Sequence, residues 1–201
     1  MNKIFIAIPC SDKIDIECVD SIFKLINNTN QYKFDVRFYR GYSCEQARNK
    51  AMKEFIESDS THIWFIDSDI QIKNDTLDKL ISNDFDIVTG IYFRKEYDIE
   101  GNKIAEICYW IEETDKTIFY RECDIPNNIF EIDACGFGCV LIKRSVCEHI
   151  FNECNGRPFY YCLEPIISED LWFCNVAKSL GYKIYAINDA KVAHLWKFPF
   201  I

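Results

Sequence analysis

The sequence predicts an α/β fold in which a mostly parallel central sheet is packed between helices. Residues 3–8 are almost entirely apolar and residues 34–39 alternate, and both patterns are typical of strands. Between them, apolar side chains recur at helical spacing over residues 16–26. A strand, a helix and a strand in this order form a βαβ unit with parallel strands. The short apolar run at residues 63–66 further indicates a strand buried on both faces.

Composition limits the possible architecture and partners. The chain has 201 residues, 49% of them hydrophobic and 15% aromatic, which predicts one compact domain, 1–201, with an ample core. The net charge of −9 argues against a nucleic-acid backbone as the main partner. No apolar run approaches the roughly 20 residues of a membrane span, so stable membrane insertion is not expected. Residues 1–9 fit a first strand better than a signal peptide, and we expect a cytoplasmic protein.

The eleven cysteines are odd in number, scattered, and mostly embedded in apolar stretches. This distribution predicts reduced thiols in a cytosolic compartment and argues against a disulfide framework. Cys135 and Cys139 are close in sequence, but no second cysteine pair or nearby histidine completes a zinc site. A structural zinc ion is therefore not expected.

The N-terminal half continues the alternation of strands and helices. Ser43 and Gln46 have the spacing of a capping box and open a second helix. A third helix is predicted over residues 74–81, and a short strand follows at residues 87–89. The order up to residue 90 is then β-α-β-α-β-α-β, one half of a doubly wound sheet.

The pattern changes in the C-terminal half, where residues 104–111 and 117–120 predict a hairpin around residues 112–116. Gly136 and Gly138 mark either a bulge or a place where a ligand approaches the backbone closely. The remaining predicted elements are strands at 129–132 and 140–142, a helix at 144–151, an irregular aromatic-rich segment at 155–165, a helix from Ser168 to Gly181, and a strand at 183–187.

Two carboxylates, Asp67 and Asp69, follow the apolar run at residues 63–66. Ligands of open α/β sheets bind outside the carboxyl ends of the strands. Alternate residues of an extended chain point the same way, and two carboxylates facing one cleft repel unless a cation or donor groups compensate. A hard divalent cation would do so, although a polar strand-to-loop transition explains the pattern equally well. A second Asp-x-Asp triplet, residues 84–86, precedes its apolar run, and we interpret it as a solvated strand entrance.

Four other charged or titratable residues have both a structural and a functional interpretation. Arg48 is either a solvated helix charge or a cation near the carboxyl end of a strand. Glu169 and Asp170 lie in a first helical turn, where the helix dipole alone favours acidic residues. His194 by itself is more often structural than a ligand. The residues alone leave these alternatives open.

In their order along the chain, these motifs resemble GT-A glycosyltransferases, close to glycosyltransferase family two and its viral and bacterial relatives. The small size is also similar to that of the minimal soluble enzymes of large DNA viruses. The resemblance rests on Ile8-Pro9-Cys10, Gln46-Ala47-Arg48-Asn49, His62 to Asp69, Asp86 to Gly90, Gly136-Phe137-Gly138, Ser168-Glu169-Asp170 and His194. It implies a GT-A (Rossmann-like) three-layer sandwich with a small antiparallel hairpin extension, with a nucleotide-sugar-binding half, 1–95, and an acceptor and catalytic half, 96–201.

The resemblance implies a metal-dependent transferase that uses a nucleotide-diphosphate sugar. Asp69 would bind the metal together with His194 and Asp67, and Asp67 would also face the ribose. The metal would be Mn²⁺ or Mg²⁺, and imidazole beside oxygen ligands suits Mn²⁺ better than Ca²⁺. UDP is the commonest carrier, so a UDP-sugar is the expected donor.

Further roles follow from the same resemblance. The nucleotide pocket would be lined by Pro9, Cys10, Arg48 and Ser68, and Lys197 would touch the diphosphate. Asp170 is the first choice for the catalytic base and Glu169 the second. The base would take the proton of an acceptor hydroxyl as it attacks the anomeric carbon, through an oxocarbenium-like transition state. One base opposite the leaving group implies inversion of the configuration at the anomeric carbon. The acceptor that the resemblance implies is a carbohydrate or glycan.

Two other functions share parts of this pattern. A phosphatase of the haloacid dehalogenase type also places Asp-x-Asp after a strand, but near the N-terminus and with Thr or Val where this chain has Gln71. A non-catalytic nucleotide-sugar or glycan-binding module would keep Asp67 and Asp69 and would not need Asp170. Larger family members carry further acceptor-side elements and a membrane attachment. The chain is therefore compatible with one domain of a longer protein, in the host cytoplasm if it is viral.

Overall fold

The computed structural model describes residues 1–111 and 116–196. In these ranges the helices are α1 (Ile16–Asn28), α2 (Cys44–Glu57), α3 (Thr76–Ile81), α4 (Arg144–Glu153) and α5 (Glu169–Ser179). The strands are β1 (Lys3–Cys10), β2 (Lys33–Arg40), β3 (His62–Ile66), β4 (Ile70–Gln71), β5 (Ile87–Gly90), β6 (Phe93–Tyr97), β7 (Lys103–Ile111), β8 (Lys116–Arg121), β9 (Ile129–Ile132), β10 (Ala134–Cys135), β11 (Cys139–Lys143), β12 (Cys162–Leu163), β13 (Ile166–Ile167), β14 (Ile184–Ile187) and β15 (Ala193–His194). None of the helices in these ranges is long and apolar enough to cross a membrane.

The central sheet has the strand order β2-β1-β3-β11-β5-β14-β9. Strands β2, β1, β3, β5 and β14 share one direction, and β11 and β9 run against it. The mostly parallel sheet predicted from the sequence is therefore confirmed. Strand β11 lies antiparallel between β3 and β5, an insertion that the alternation of strands and helices does not predict.

Helices cover both faces of this sheet, which explains why its strands are almost continuously apolar. In β1, the side chains of Ile4, Ile6 and Ile8 pack into the cluster that contains the buried residues of α1 and α3. Phe5 and Ala7 point to the opposite face, into the cluster that contains the buried residues of α2, α4 and α5. The result is a helix–sheet–helix arrangement of three layers.

The helices that carry site residues begin where the sequence predicts. The capping box of α2 is formed, because Ser43 Oγ accepts from the Gln46 N–H and Gln46 Oε1 accepts from the Ser43 N–H, both at 3.3 Å. Helix α5 begins directly after Ser168. Gly181 follows its C-terminal end with a φ of +87°, a left-handed conformation that glycine adopts without strain.

The small antiparallel sheets contain both confirmed and unpredicted elements. Strands β10, β7 and β6 pair in that order and β8 pairs with β7, which confirms the hairpin extension, although most of its predicted turn at residues 112–116 lies outside the described residues. The segment at residues 155–165, predicted to be irregular, contains β12, which pairs with β13. Strands β4 and β15 also pair, and this pairing brings the chain back to the end of β3.

Candidate functional site

The carboxyl ends of β1 and β3 meet at one edge of the sheet, because the two strands are parallel neighbours. A cleft of about 240 Å³ opens there. It is lined by Pro9, Cys10, Ser11, Tyr42, Cys44, Ala47, Asp67, Ser68, Asp69 and His194. The structure thus brings together most of the residues that the sequence singled out. Lys197, predicted to touch the diphosphate, lies outside the described residues.

The chain turns immediately after β3. The backbone N–H of Asp67 donates to Gly138 O at 3.2 Å, and the N–H of Ile70 donates to Asp67 O at 3.0 Å. The alternation of an extended strand therefore does not apply to Asp67 and Asp69. Both still line the cleft, but their carboxylates meet different partners.

Arg48 is buried between two carboxylates. Its side chain is 4% exposed, its Nη2 lies 3.0 Å from Asp67 Oδ1, and its Nη1 pairs with Glu169 Oε1. Burial opposes the charge of Arg48, but Asp67, Asp170 and Glu169 outweigh burial and raise the pKa of the guanidinium. Burial also raises the pKa of Asp67, although Arg48 counteracts this effect. Of the two interpretations of Arg48, a solvated helix charge is therefore excluded.

The two acidic residues at the start of α5 have different partners. Burial raises the pKa of Glu169, with its ion-pair partner Arg48 acting in the opposite direction. Asp170 Oδ1 accepts hydrogen bonds from the Ser168 hydroxyl and from the Leu171 N–H, the latter at 2.8 Å. Glu169 is thus held by a cation, whereas neutral donors hold Asp170.

His194 lies next to Asp69 because β15 pairs with β4. The N–H of Leu195 donates to Asp69 O at 2.8 Å, which fixes the two segments together. The imidazole Nε2 lies 3.2 Å from Asp69 Oδ2, and Nδ1 lies 2.9 Å from the carbonyl oxygen of Phe93. Since a carbonyl oxygen only accepts, we assign the proton of Nδ1 to this hydrogen bond. The other nitrogen, Nε2, then faces the carboxylate.

Lys95 is a site residue that the sequence analysis missed. Its Nζ lies 2.5 Å from Asp69 Oδ2, the same oxygen that contacts His194. Burial raises the pKa of Asp69, but hydrogen bonds from His194 and Lys95 outweigh burial and lower it to about 2. Burial lowers the pKa of His194, yet its contacts with Asp69 and Phe93 raise it overall. The position of Lys95 in the sequence could have identified it, because Lys95 follows β5, whose carboxyl end lies at the same edge of the sheet as that of β3.

Asp69 and His194 together fit a divalent cation. A carboxylate oxygen beside an imidazole nitrogen suits Mn²⁺, and the Phe93 carbonyl orients the ring as outer partners of metal-bound histidines do. In residues 1–111 and 116–196, no three or more His, Cys, Asp or Glu side chains are arranged to hold a metal ion. A cation here would need further ligands from phosphate and water. Asp67, the third predicted ligand, is paired with Arg48.

Gly136 and Gly138 make room for the ring of Tyr92. The N–H of Gly138 donates to Tyr92 Oη at 3.0 Å. A Cβ at Gly136 would lie 2.3 Å from Tyr92 Oη, and one at Gly138 would lie 2.7 Å from Tyr92 Cζ. The ring packs edge-on against His194, with centroids 5.5 Å apart. The close approach that the glycines predicted is therefore made by a side chain of the protein itself, which supports His194.

Neither a protein-family model nor a curated protein matches the sequence, but solved structures match the fold. A197 from STIV is 23% identical, with a TM-score of 0.65 over 98% of this chain and 87% of A197. A structure of GalNAc-T7 with UDP, GalNAc and Mn²⁺ is 12% identical, with a TM-score of 0.55 over 98% of this chain, which spans 44% of that protein. These similarities show the fold, and they confirm the predicted GT-A-like, Rossmann-type architecture.

Proposed function

We propose that this protein is a metal-dependent glycosyltransferase, which moves a sugar from a nucleotide-diphosphate donor to a hydroxyl group of a carbohydrate or glycan acceptor. The observation that carries the proposal is the Asp69–His194 pair beside a cleft at the carboxyl edge of the sheet. The fold supports it, because GalNAc-T7, a glycosyltransferase of similar fold, has a structure that contains UDP, GalNAc and Mn²⁺. A UDP-sugar is therefore the first donor to test.

In the proposed enzyme the cleft takes the nucleotide. Its walls at this edge are formed by Pro9, Cys10 and Ser68. We propose that the Asp67 carboxylate accepts hydrogen bonds from the ribose hydroxyl groups. Arg48 fixes the position of that carboxylate through their ion pair. Residues 1–95 thereby form the donor half and residues 96–201 the acceptor and catalytic half.

Asp69 and His194, which both line the cleft, would hold Mn²⁺ or Mg²⁺. When bound, the cation would offset the negative charge that develops on the departing diphosphate. Asp69 presents its carboxylate from the turn after β3, and His194 is oriented by the Phe93 carbonyl. Lys197 is proposed as a further contact of the diphosphate.

Asp170 is proposed as the catalytic base. Its carboxylate would take the proton from the acceptor hydroxyl while the oxygen attacks the anomeric carbon, which inverts the configuration in a single displacement. The Ser168 hydroxyl and the Leu171 N–H hold this carboxylate in position. Glu169, the second choice for the base, forms an ion pair with Arg48.

A haloacid dehalogenase-type phosphatase is less well supported. Its nucleophile would be Asp67, whose carboxylate forms an ion pair with Arg48.

Thermal melting tests the donor and metal assignments. The protein is heated with UDP, other nucleoside diphosphates and nucleotide sugars, each with and without Mn²⁺. A ligand at about 100 times its dissociation constant stabilises the fold by about 2.7 kcal/mol, which raises the melting temperature by several degrees. We expect the shift with UDP and Mn²⁺ together, and a much smaller shift with either alone.

The second Asp-x-Asp triplet provides the matched control. Asp69→Asn should abolish the metal-dependent shift, whereas Asp86→Asn should retain it, because Asp86 pairs with Lys143 away from the cleft. A protein that no nucleotide stabilises with any metal would refute the proposed donor site. An Asp69→Asn variant that keeps the full shift would refute the metal assignment.

A further inference from the structure

One carboxylate oxygen of the candidate metal site already has a cation beside it. Asp69 Oδ2 lies 2.5 Å from Lys95 Nζ and 3.2 Å from His194 Nε2. The Lys95 and Asp69 side chains are 35% and 33% exposed, so the pair is partly shielded from solvent. The ammonium group of Lys95 thus contacts the same carboxylate oxygen that a metal ion bound to Asp69 and His194 would need.

The two neighbours of Asp69 are coupled through β6. The carbonyl of Phe93 accepts the hydrogen bond of His194 Nδ1–H, so Nε2 is the ring nitrogen that faces Asp69. Lys95 lies two residues further along β6, so the same strand orients the histidine and places a positive charge beside the aspartate.

The surroundings allow the ammonium group to move. A cavity of about 380 Å³, lined by Arg94, Lys95, Glu96, Glu106 and His194, lies on the β6 side of the histidine. The proposed nucleotide cleft has a different lining and shares only His194 with this cavity. Lys95 thus lines a cavity other than the one proposed for the donor, and its flexible side chain has space to withdraw.

We propose, building on the function proposed above, that Lys95 is an exchangeable counter-ion that keeps Asp69 from binding a metal until a nucleoside diphosphate arrives. Without the nucleotide, a divalent cation has to displace the ammonium group from Asp69. With the diphosphate bound, new negative charge beside the site offers Lys95 an alternative partner. Metal and nucleotide then bind with positive coupling, and Lys95 acts as a positioning residue.

Titration of Mn²⁺, followed by the electron paramagnetic resonance signal of the free ion, tests this proposal without any measurement of transfer. In the absence of nucleotide, Lys95→Met should bind Mn²⁺ about ten-fold more tightly than the unchanged protein, within the usual range of coupling between sites. Saturating UDP should strengthen Mn²⁺ binding strongly in the unchanged protein and much less in Lys95→Met. Lys95→Arg keeps the positive charge and should keep Mn²⁺ binding weak.

Lys103→Met is the matched control, because Lys103 lies close to Lys95 but pairs with Glu122. It should bind Mn²⁺ as the unchanged protein does, and Lys95→Gln replaces Lys95→Met if the latter fails to fold. Equal or weaker Mn²⁺ binding by the uncharged variants Lys95→Met and Lys95→Gln, without nucleotide, would overturn the proposal. If the unchanged protein binds no Mn²⁺ with UDP or any other nucleoside diphosphate, the proposed function itself fails. If it binds Mn²⁺ with UDP but Lys95→Met behaves identically, the role of Lys95 alone fails.

Discussion

Asp67 and Asp69 are one residue apart, yet they meet opposite charges from different parts of the chain. Asp67 pairs with Arg48, whose guanidinium is buried in the core side of the cleft. Asp69 instead meets Lys95 and His194, whose side chains are more exposed than that of Arg48. A buried guanidinium is a permanent partner, whereas a lysine on a flexible stem can be displaced. In the proposed enzyme, the first aspartate would therefore belong to the framework of the site, and the second would exchange its partner for a metal ion.

Replacing Arg48 with Met should strongly destabilise the protein. The change would leave Asp67 and Glu169 without their shared cation, and breaking a buried ion pair in this way costs about 3 kcal/mol or more. Urea denaturation measures the free energy of unfolding. Lys183→Ala, which removes the exposed partner of Glu131, is the control and should cost at most about 1 kcal/mol. Equal losses in the two variants would contradict the structural role of Arg48.

The instability of Arg48→Met should diminish as the pH falls. Burial raises the pKa of both Asp67 and Glu169 in the folded protein, so the folded state binds protons more readily than the unfolded state. Stability from such groups is lost as the pH rises, and the loss grows when the compensating cation is removed. Denaturation at about pH 7 and about pH 5 should therefore show a smaller gap to the unchanged protein at the lower pH. A gap that widens towards pH 5 would be inconsistent with this account.

Asp170→Asn should keep donor binding and lose sugar transfer. The amide oxygen can still accept from Ser168 and Leu171, but it cannot take a proton from the acceptor. General-base catalysis contributes about 100-fold or more, so the transfer rate should fall at least that much while the melting shift with UDP and Mn²⁺ persists. Transfer of labelled sugar to an acceptor measures the rate. Unchanged transfer would remove Asp170 from the mechanism, and a non-catalytic module would show no transfer even in the unchanged protein.

Among single residues, the sequence analysis identified those that directly follow a strand. It missed those whose partners are distant in the sequence. Asp67 and Asp69 were predictable because a buried strand stops at them. Lys95 was missed, because its contact with Asp69 spans 26 residues of sequence. The partner of Arg48 was equally hidden, since Glu169 lies 121 residues further along the chain. Local patterns report which side chains are near strand ends, and they do not report which charges meet.

Helices α2 and α5 both begin after a serine, but the two serine side chains make different hydrogen bonds. Ser43 accepts the Gln46 N–H, whereas Ser168 donates its hydroxyl to Asp170 and makes no cap bond to the helix backbone. Ser43→Ala should therefore lower the free energy of unfolding by about 1 kcal/mol. Ser168→Ala should cost clearly less stability and instead slow transfer, because the base loses a positioning hydrogen bond. Equal stability losses for the two variants would show that Ser168 acts as an ordinary cap.

The elements also show where sequence patterns stop being informative. Strands β1, β3 and β5 were predicted because each is a continuous buried run bounded by polar residues. Strands β4, β12, β13 and β15 have two residues each, which is too short for any periodicity to be visible. The direction of β11 was also not predictable, because it depends on pairing with β3 and β5 and not on its own composition.

Across the whole molecule, the two functional halves are interleaved in one sheet. Strand β11, from the second half, lies between β3 and β5 of the first half, and β14 pairs with the other edge of β5. Neither half can therefore complete the sheet alone. The division at residue 95 describes proposed roles and does not separate two folding units.

Fragments 1–95 and 96–201 should accordingly fail to fold when they are produced separately. Without β11, the first fragment would leave β3 and β5 with unpaired edges, and the second would lack the parallel strands on which its own strands pack. Circular dichroism during urea denaturation should show a single cooperative transition for the full chain and none for either fragment. A cooperative transition in an isolated fragment would establish it as an autonomous domain.

The pairing of β15 with β4 delays the completion of the proposed site during protein synthesis. His194 lies 125 residues after Asp69, and Lys95 only 26 residues after it. At about 5–20 residues per second, the ribosome takes roughly 6–25 seconds to extend the chain from Asp69 to His194. During that interval the nascent chain can supply the lysine but not the imidazole. Until then a growing chain cannot form this donor pair, so the proposed metal site is complete only once almost all strands of the sheet have been synthesised.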